Sequence, residues 1–425
     1  MLLPRATHRV ISTFTDMIPS VRQCFFLFLI SASVLLQSCA SGRGADAPAN
    51  YLTPAGWQDV DETLAADSFS EYASAVKAEV ERYRVPVNAS NAVAEVAMAS
   101  PVEIAVAEHC DGEVRGIALL VHGLSDTAFA MRDVANVLSE SCFRSRTMLL
   151  PGHGTRPGDL LTTRLSHWQR TVAYLVDQAA RESDTVVLAG FSLGSVLTLT
   201  EALRPNSPVD ALIALSPAYY LSTYRLARWA PYLHPLKKWI DSGPADDAMR
   251  YEAMPTRGVA ETVKAMQQAH RDIKRADGVE IPWLLAQSVD DAVTVPQRNA
   301  DFFHLHARHE NSRLVQFYSI QNPAADDGAV WISASDKQLR VDALTHLAIH
   351  SSPANSHYGI RGEYRNCGGT GPRDQAQVEA CQEANDVWYG LWRVTPPNGR
   401  AQAMSTFNPA FSQLAEQITG FLSGV

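Results

Sequence analysis

Positive charge is scarce in this sequence. Its 36 Lys and Arg are outnumbered by 45 Asp and Glu, which leaves a formal net charge of -9 at pH 7. Such a balance provides no basic surface for a polyanion, and nucleic-acid binding is set aside. Charged residues make up only 19% of the 425 and apolar ones 46%, an ordinary globular balance that argues against disorder. A chain of this length buries one large core or two smaller ones. The 6 cysteines include no Cys-x-x-Cys pair, so neither a metal nor a redox site is suggested and no cofactor is expected. No internal repeat is apparent, and no apolar run reaches the length of a membrane-spanning helix.

The longest apolar stretch, Cys24 to Leu36 in "CFFLFLISASVLLQSCA", follows Arg5, His8, Arg9 and Arg22. A basic segment ahead of a short apolar one reads as a signal peptide over residues 1–38, with Met17 as an alternative start that gives a more usual leader length. Leu36-Gln37-Ser38-Cys39 resembles the lipobox of bacterial lipoproteins. That resemblance implies cleavage before Cys39, acylation of its thiol and anchoring in a membrane, each buried methylene contributing about 0.8 kcal/mol. Ala40 and Ser41, with no aspartate after the cysteine, imply the outer membrane, facing the periplasm or the cell surface. Residues 40–60 are rich in Ala, Gly and Pro and read as a tether, so 39–60 is taken as anchor plus tether. Export leaves Cys110, Cys142, Cys367 and Cys381, an even number suited to disulfides in an oxidising compartment. Three pairings are possible, and nearness in sequence favours Cys110 with Cys142 and Cys367 with Cys381.

Apolar residues recur at helical spacing from about Glu62 to Arg84, and Pro86 ends the pattern; a helical extension is expected over 61–100. Beyond Pro101 short apolar segments alternate with amphipathic ones. Strands are expected at 102–107, 115–121, 145–150, 185–191, 210–216, 281–288 and 313–320, and helices at 127–140, 164–182, 193–204, 296–306 and 409–423. The alternation predicts an α/β fold, a mostly parallel central sheet with helices on both faces. Two insertions interrupt it: an aromatic-rich and largely helical one over 218–280, and another over 321–345.

The chemistry centres on Gly190-Phe191-Ser192-Leu193-Gly194. A strand precedes Ser192 and a helix opens at Leu193, which is the context of a nucleophile elbow. There the residues two before and two after the serine must be small, and both are glycine. Upstream, "IALLVHGL" is a strand ending in His122-Gly123, so the amides of Leu124 and Leu193 are the expected oxyanion-hole donors. His122 itself is read as structural. The acid should lie at the end of the strand in "IPWLLAQSVDDAVTVP", where Asp291 is favoured over Asp290, the latter expected to cap the next turn. The base should lie in "VDALTHLAIHSSPANSHYG", where a strand-to-loop transition would expose His346, with His350 and His357 as alternatives.

The order Ser192, Asp291, His346 is that of the α/β-hydrolases. Together "VHGLSDTAFAMRDVANVL", "LLPGHGTRPGDLL" and "GFSLGS" resemble the monoacylglycerol lipase, lysophospholipase and carboxylesterase branch. The resemblance implies a hydrolase core over 101–217 and 281–425, a lid over 218–280, a structural role for His153, and a serine esterase acting on lipid-like or small-molecule esters. Tyr219, Tyr220, Tyr224, Trp229, Trp239 and Met249 of the insertion either line an acyl pocket or pack the lid down. Ser195 departs from the pattern, standing where many relatives carry glycine. Amide or thioester hydrolysis on the same scaffold, and a catalytically dead surface-binding lipoprotein, are the competing readings.

Overall fold

The computed structural model describes residues 50–56, 63–243, 245–319, 328–368, 375–391 and 399–425. The expected signal peptide and Cys39 lie outside the described residues. Among the described residues no helix is long and apolar enough to cross a membrane.

In chain order the strands are β1 (Val102–Ile104), β2 (Gly116–Val121), β3 (Phe143–Thr147), β4 (Val186–Phe191), β5 (Ala211–Leu215), β6 (Trp239–Ser242), β7 (Ala253–Pro255), β8 (Trp283–Ser288), β9 (Arg313–Tyr318), β10 (Val330–Ser333), β11 (Trp388–Gly390) and β12 (Gln402–Met404). The helices are α1 (Phe69–Tyr83), α2 (Ala92–Ala99), α3 (Arg132–Glu140), α4 (Leu165–Glu182), α5 (Leu193–Ala202), α6 (Thr256–Ala276), α7 (Pro296–His306), α8 (Gln375–Glu383) and α9 (Phe411–Leu422). Eight strands form one sheet in the order β1-β3-β2-β4-β5-β8-β9-β10. Every neighbour pair in it is parallel except β1 with β3. The pairs β6/β7 and β11/β12 stand apart from it.

The period of 2 explains why the inner strands are apolar throughout. Ile117, Leu119 and Val121 of β2 enter one core layer, and Ala118 and Leu120 enter the other. Strands β4, β5 and β8 divide in the same way, Leu188, Leu212 and Leu285 to the first layer, Ala189, Ile213 and Leu284 to the second. Helices α4, α5 and α6 cover the first layer with Trp168, Val196 and Met266, while α3 and α9 cover the second with Leu138 and Ile418. Each such side chain contributes about 1.5–3 kcal/mol on burial.

The expected boundaries shift where polar residues intervene. Helix α1 begins at Phe69 because Ser68 caps it: Ser68 Oγ accepts the Glu71 amide at 3.3 Å, and Glu71 in turn accepts the amide of the preceding Asp67 at 2.8 Å. Strand β3 covers 143–147 instead of 145–150. Its Arg146 is buried, with guanidinium bonds to Glu103 at 2.6 Å and to Glu182 at 3.0 Å, so a charged residue holds a sheet position while the apolar Met148-Leu149-Leu150 lies beyond the strand. The insertion expected at 321–345 contributes β10, a sheet strand parallel to β9. That at 218–280 is only partly helical, since it holds the β6/β7 pair before α6. The tether expected to reach residue 60 is packed at 50–56: Tyr51 is buried, Gly158 donates to its carbonyl at 3.3 Å, and the Ala55 amide bonds Asp159 at 2.6 Å.

The structure pairs Cys110 with Cys142, and Cys367 with Cys381, at Cα separations of 5.7 and 5.6 Å. The second lies in a small satellite core with Val341, Tyr389 and Phe407. Arg84, just after α1, is buried against Glu95 of α2 at 2.9 Å, and it also donates to the carbonyls of Gly154 and Ala248. It therefore ties the N-terminal extension to two separate parts of the body. Replacing one partner leaves a buried charge uncompensated. Arg84→Ala is expected to cost about 3–5 kcal/mol in urea unfolding, and Arg84→Met with Glu95→Leu to cost less.

Candidate active site

Strands β2 and β4 are neighbours, with Val121 opposite Gly190, so the turns that leave them lie side by side. Ser192 sits between β4 and α5 with φ 53° and ψ -113°, a conformation costing about 1–3 kcal/mol for a residue with a side chain. A Cβ on Gly194 would lie 2.1 Å from the carbonyl oxygen of Val121, and one on Gly190 would lie 2.5 Å from the backbone of Gly194 and Ser195. The glycines are required because three backbone segments meet there. Ser195 has a role that a glycine lacks: its hydroxyl donates to the Gly190 carbonyl at 2.6 Å.

The hydroxyl of Ser192 donates to Nε2 of His346 at 2.9 Å, and Nδ1 of His346 donates to Asp291 Oδ2 at 2.6 Å. Three residues separated by up to 154 positions are thus in line. The loop after β8 places the acid. Asp291 Oδ1 accepts the amides of Val293 and Thr294 at 2.7 and 2.9 Å, and Oδ2 accepts the Thr294 hydroxyl at 2.9 Å. Burial pushes this carboxyl up, but the His346 imidazole and the Thr294 donors outweigh it and hold its pKa below the ordinary value. Asp291 itself caps the turn, a task expected of Asp290, whose own amide instead bonds Ser288 Oγ at 3.1 Å. His346 opens a short 3-10 turn and is buried, not exposed as the strand-to-loop reading expected.

The remaining histidines have other partners. His122 donates through Nδ1 to the Gly123 carbonyl at 2.8 Å and accepts the Leu150 amide at Nε2 at 3.0 Å; burial lowers its pKa to about 4. His153, in edge contact with it, is held well below its ordinary value by burial and by His122. Both stay neutral and carry backbone hydrogen bonds. His350 lies against the Phe191 ring, and burial with nearby His346 lowers it to about 3. His357 donates to Asp247 at 2.9 Å. The Leu193 amide is the first of α5 and so has no carbonyl four residues back within the helix. Leu124 follows Gly123, where a Cβ would meet Asp126 Oδ2 at 2.6 Å.

Sequence reasoning missed a polar group beside this centre. Asp247 accepts His357 and the Tyr358 hydroxyl, the latter at 3.1 Å, and lies 3.6 Å from Arg250, which is paired with Glu252. Arg250 bridges Asp126 of the turn after β2, and the Tyr251 amide donates to Ser125 at 2.9 Å. The insertion is therefore pinned to the turn carrying Leu124 and to the segment following His346. Asp126, Arg250, His350, Tyr358 and Tyr364 line a small cavity of about 10 Å³, the size of one water. His357 and Tyr358 lie 110 and 111 residues from Asp247, so no local spacing signals them. Of the residues expected to line a pocket, Tyr219 and Met249 are buried, Tyr219 against Trp283 and Phe302, whereas Trp229 is exposed.

A larger cleft of about 580 Å³, between α4, α5 and α6, contains none of these residues. Among the described residues, the His109, Cys110 and Cys142 group is close enough to hold a metal ion, but its thiols are joined in a disulfide.

Burial raises the Asp126 carboxyl from 3.8 to about 7, against the pull of Arg250 and His346. The folded protein then binds a proton that the unfolded chain releases above about pH 4. Stability from this group is present below the unfolded pKa and falls as pH rises toward about 7, by up to about 4 kcal/mol. Asp126→Asn should flatten that fall, read as melting temperature against pH.

Residues 112–317 match the family model described as serine aminopeptidase, S33. A thermostable monoacylglycerol lipase from Bacillus sp. (strain H-257) is 26% identical over 189 residues, 43% of this chain and 73% of that protein. Among solved structures, the monoacylglycerol lipase of Paleococcus ferrophilus aligns with a TM-score of 0.43 at 19% identity, over 51% of this chain and 88% of the other. A soluble variant of the Saccharomyces cerevisiae monoglyceride lipase aligns with a TM-score of 0.42 at 17% identity, over 52% and 82%. With a mostly parallel sheet, a serine at a strand-to-helix elbow and the match over 112–317, the chain has the α/β-hydrolase fold and is a serine hydrolase similar to lipases and esterases.

Proposed function

We propose that the protein hydrolyses carboxylic esters of acyl-lipid type through an acyl-enzyme on Ser192. The observation that carries this is the run of contacts from Ser192 Oγ to His346 at 2.9 Å and on to Asp291 at 2.6 Å. His346 takes the serine proton as Oγ attacks the ester carbonyl, then returns it to the leaving alcohol. Asp291 fixes the tautomer that leaves Nε2 free to accept, and stabilises the imidazolium. The amides of Leu124 and Leu193 receive the oxyanion. Water, deprotonated by the same histidine, then releases the carboxylic acid. The Bacillus relative, a monoacylglycerol lipase, makes a single-chain glyceride ester the first substrate to try. Residues 218–280 act as the lid, and acylation of Cys39 holds the exported chain on the outer membrane.

Hydrolysis of p-nitrophenyl esters by the purified chain tests this reading. Ser192→Ala and His346→Ala are expected to lose at least about 10⁴-fold in kcat, and Asp291→Asn on the order of 10⁴-fold through the wrong tautomer. An inert wild type that also fails to react with a fluorophosphonate overturns it, and full activity in His346→Ala moves the base elsewhere. The description of the matched family favours amide hydrolysis as the second reading; a p-nitroanilide turned over faster than the matching ester would select it. Labelled palmitate incorporated by wild type and not by Cys39→Ala tests the anchor.

A further inference from the structure

Helices α6 and α7, together with Tyr220, line a cleft of about 310 Å³ that holds none of the residues of the active centre. One face of each helix supplies the lining. His270 and Lys274 stand one turn apart on α6, and Arg298, Phe302 and Leu305 recur at helical spacing on α7. Part of the lining is aromatic: the rings of Tyr220, His270 and Phe302 pack on one another with centroids 4.8 to 5.9 Å apart. The charge in the cleft is left unmatched. Among the described residues Lys274 makes no ion pair or hydrogen bond, and Arg298 lies over the Tyr220 ring, 4.0 Å from its centroid, with no acceptor on its N–H groups. By contrast the buried Arg84, Arg146 and Arg250 are each paired with a glutamate. Asp301, the acid in the lining, accepts the Gln297 side-chain amide at 3.0 Å. Nδ1 of His306, also in the lining, is buried without a hydrogen-bond partner among the described residues. Burial lowers the pKa of His270; the Tyr219 carbonyl opposes this and Lys274, Arg298 and His306 add to it, so these basic groups share one field.

We propose that this cleft binds a small aromatic carboxylate. A guanidinium lying over a ring keeps its N–H donors at its own rim, where a carboxylate can take two of them, and a neighbouring ammonium adds a point charge. Arg298 and Lys274 fill these two roles. The ring of the ligand rests against Tyr220 and Leu305, and His306 Nδ1 offers a further hydrogen bond. An inorganic anion would leave most of the volume and the apolar part of the lining to water. A long acyl chain would have to run past Lys274, Arg298 and Asp301 and strip water from them without replacing it. The site is separate from the catalytic one but close to its frame: the Tyr220 carbonyl accepts the Val295 amide at 2.9 Å, at the end of the loop that carries Asp291. The inference is independent of the esterase reading.

Calorimetric titration of the full chain with 2-naphthoate tests it. Wild type is expected to bind naphthoate at least about tenfold more tightly than either the neutral 2-naphthamide or inorganic phosphate, with an affinity that high salt weakens. The double variant Lys274→Gln, Arg298→Gln is expected to lose at least about tenfold in affinity for naphthoate while melting at the wild-type temperature. Arg298→Lys, which keeps the charge without the fork, should fall between wild type and Arg298→Gln. Wild type that gives no saturable heat with naphthoate overturns the proposal, as does equal affinity for naphthoate and naphthamide. Phosphate bound as tightly as naphthoate overturns it too, by reducing the cleft to a simple anion site. Naphthoate affinity that falls in His346→Ala and holds in the double variant puts the acid in the active centre and overturns the assignment to this cleft.

Discussion

The carbonyl oxygen of Val121 lies where a side chain at position 194 would have to be. Helix α5 can begin there only because Gly194 carries none, and the chain reaches that start only by taking Ser192 through a positive φ. The pairing of Val121 with Gly190 then sets the turn after β2 beside the elbow. Gly190 admits the first turn of α5, and the Ser195 hydroxyl ties that turn back to the Gly190 carbonyl. The alignment of Ser192 with His346 therefore depends on a sheet register and one close backbone approach. The strain is offset by the fully buried strands on either side.

Burial alone does not make a histidine useful here; its partners do. His122, His153 and His350 are as buried as His346 or more so, and each is kept neutral, at least two of them bonded to backbone carbonyls. His346 differs in having a carboxylate at one ring nitrogen and a hydroxyl at the other. Asp291 can serve it because its remaining acceptor capacity is filled by Thr294 and Val293, which fixes its orientation independently of the histidine.

What could be read from the sequence follows from how local each feature is. The elbow shows in five consecutive residues because its steric demand is local. The central strands show as apolar runs because both faces of the sheet are covered. Helix caps are equally local: Ser68-x-x-Glu71 marks the start of α1, whereas apolar spacing alone puts that start earlier, near Glu62. Strand β3 was displaced by Arg146, whose two acidic partners stand 36 and 43 residues away. Strand β10 belongs to the sheet through pairing with β9, and the intervening residues give no sign of it. The sequence favours Asp291 over Asp290 and His346 among three histidines by position alone, and only the distances that folding brings about join those two to each other and to Ser192.

The group formed by Asp247, Arg250, Glu252 and His357 was invisible for the same reason, and its physical logic is particular to the insertion. Between β5 and α6 the insertion has little core of its own: a short strand pair, single-turn helices at Tyr224–Ala227 and Ala230–Leu233, and apolar side chains turned outward. Hydrophobic burial is non-directional and would let so small a unit settle in several registers. Buried ion pairs add little net stability, but a misplaced partner is heavily penalised, because it leaves a charge unpaired in a low-dielectric interior. Arg84 on the Ala248 carbonyl, His357 on Asp247 and the backbone of Asp126 bridged to Arg250 approach residues 247–250 from three directions. The inner side of the insertion is thus positioned by polar contacts to the loops of the active centre. Its outward apolar side chains are thereby freed from any part in holding it down.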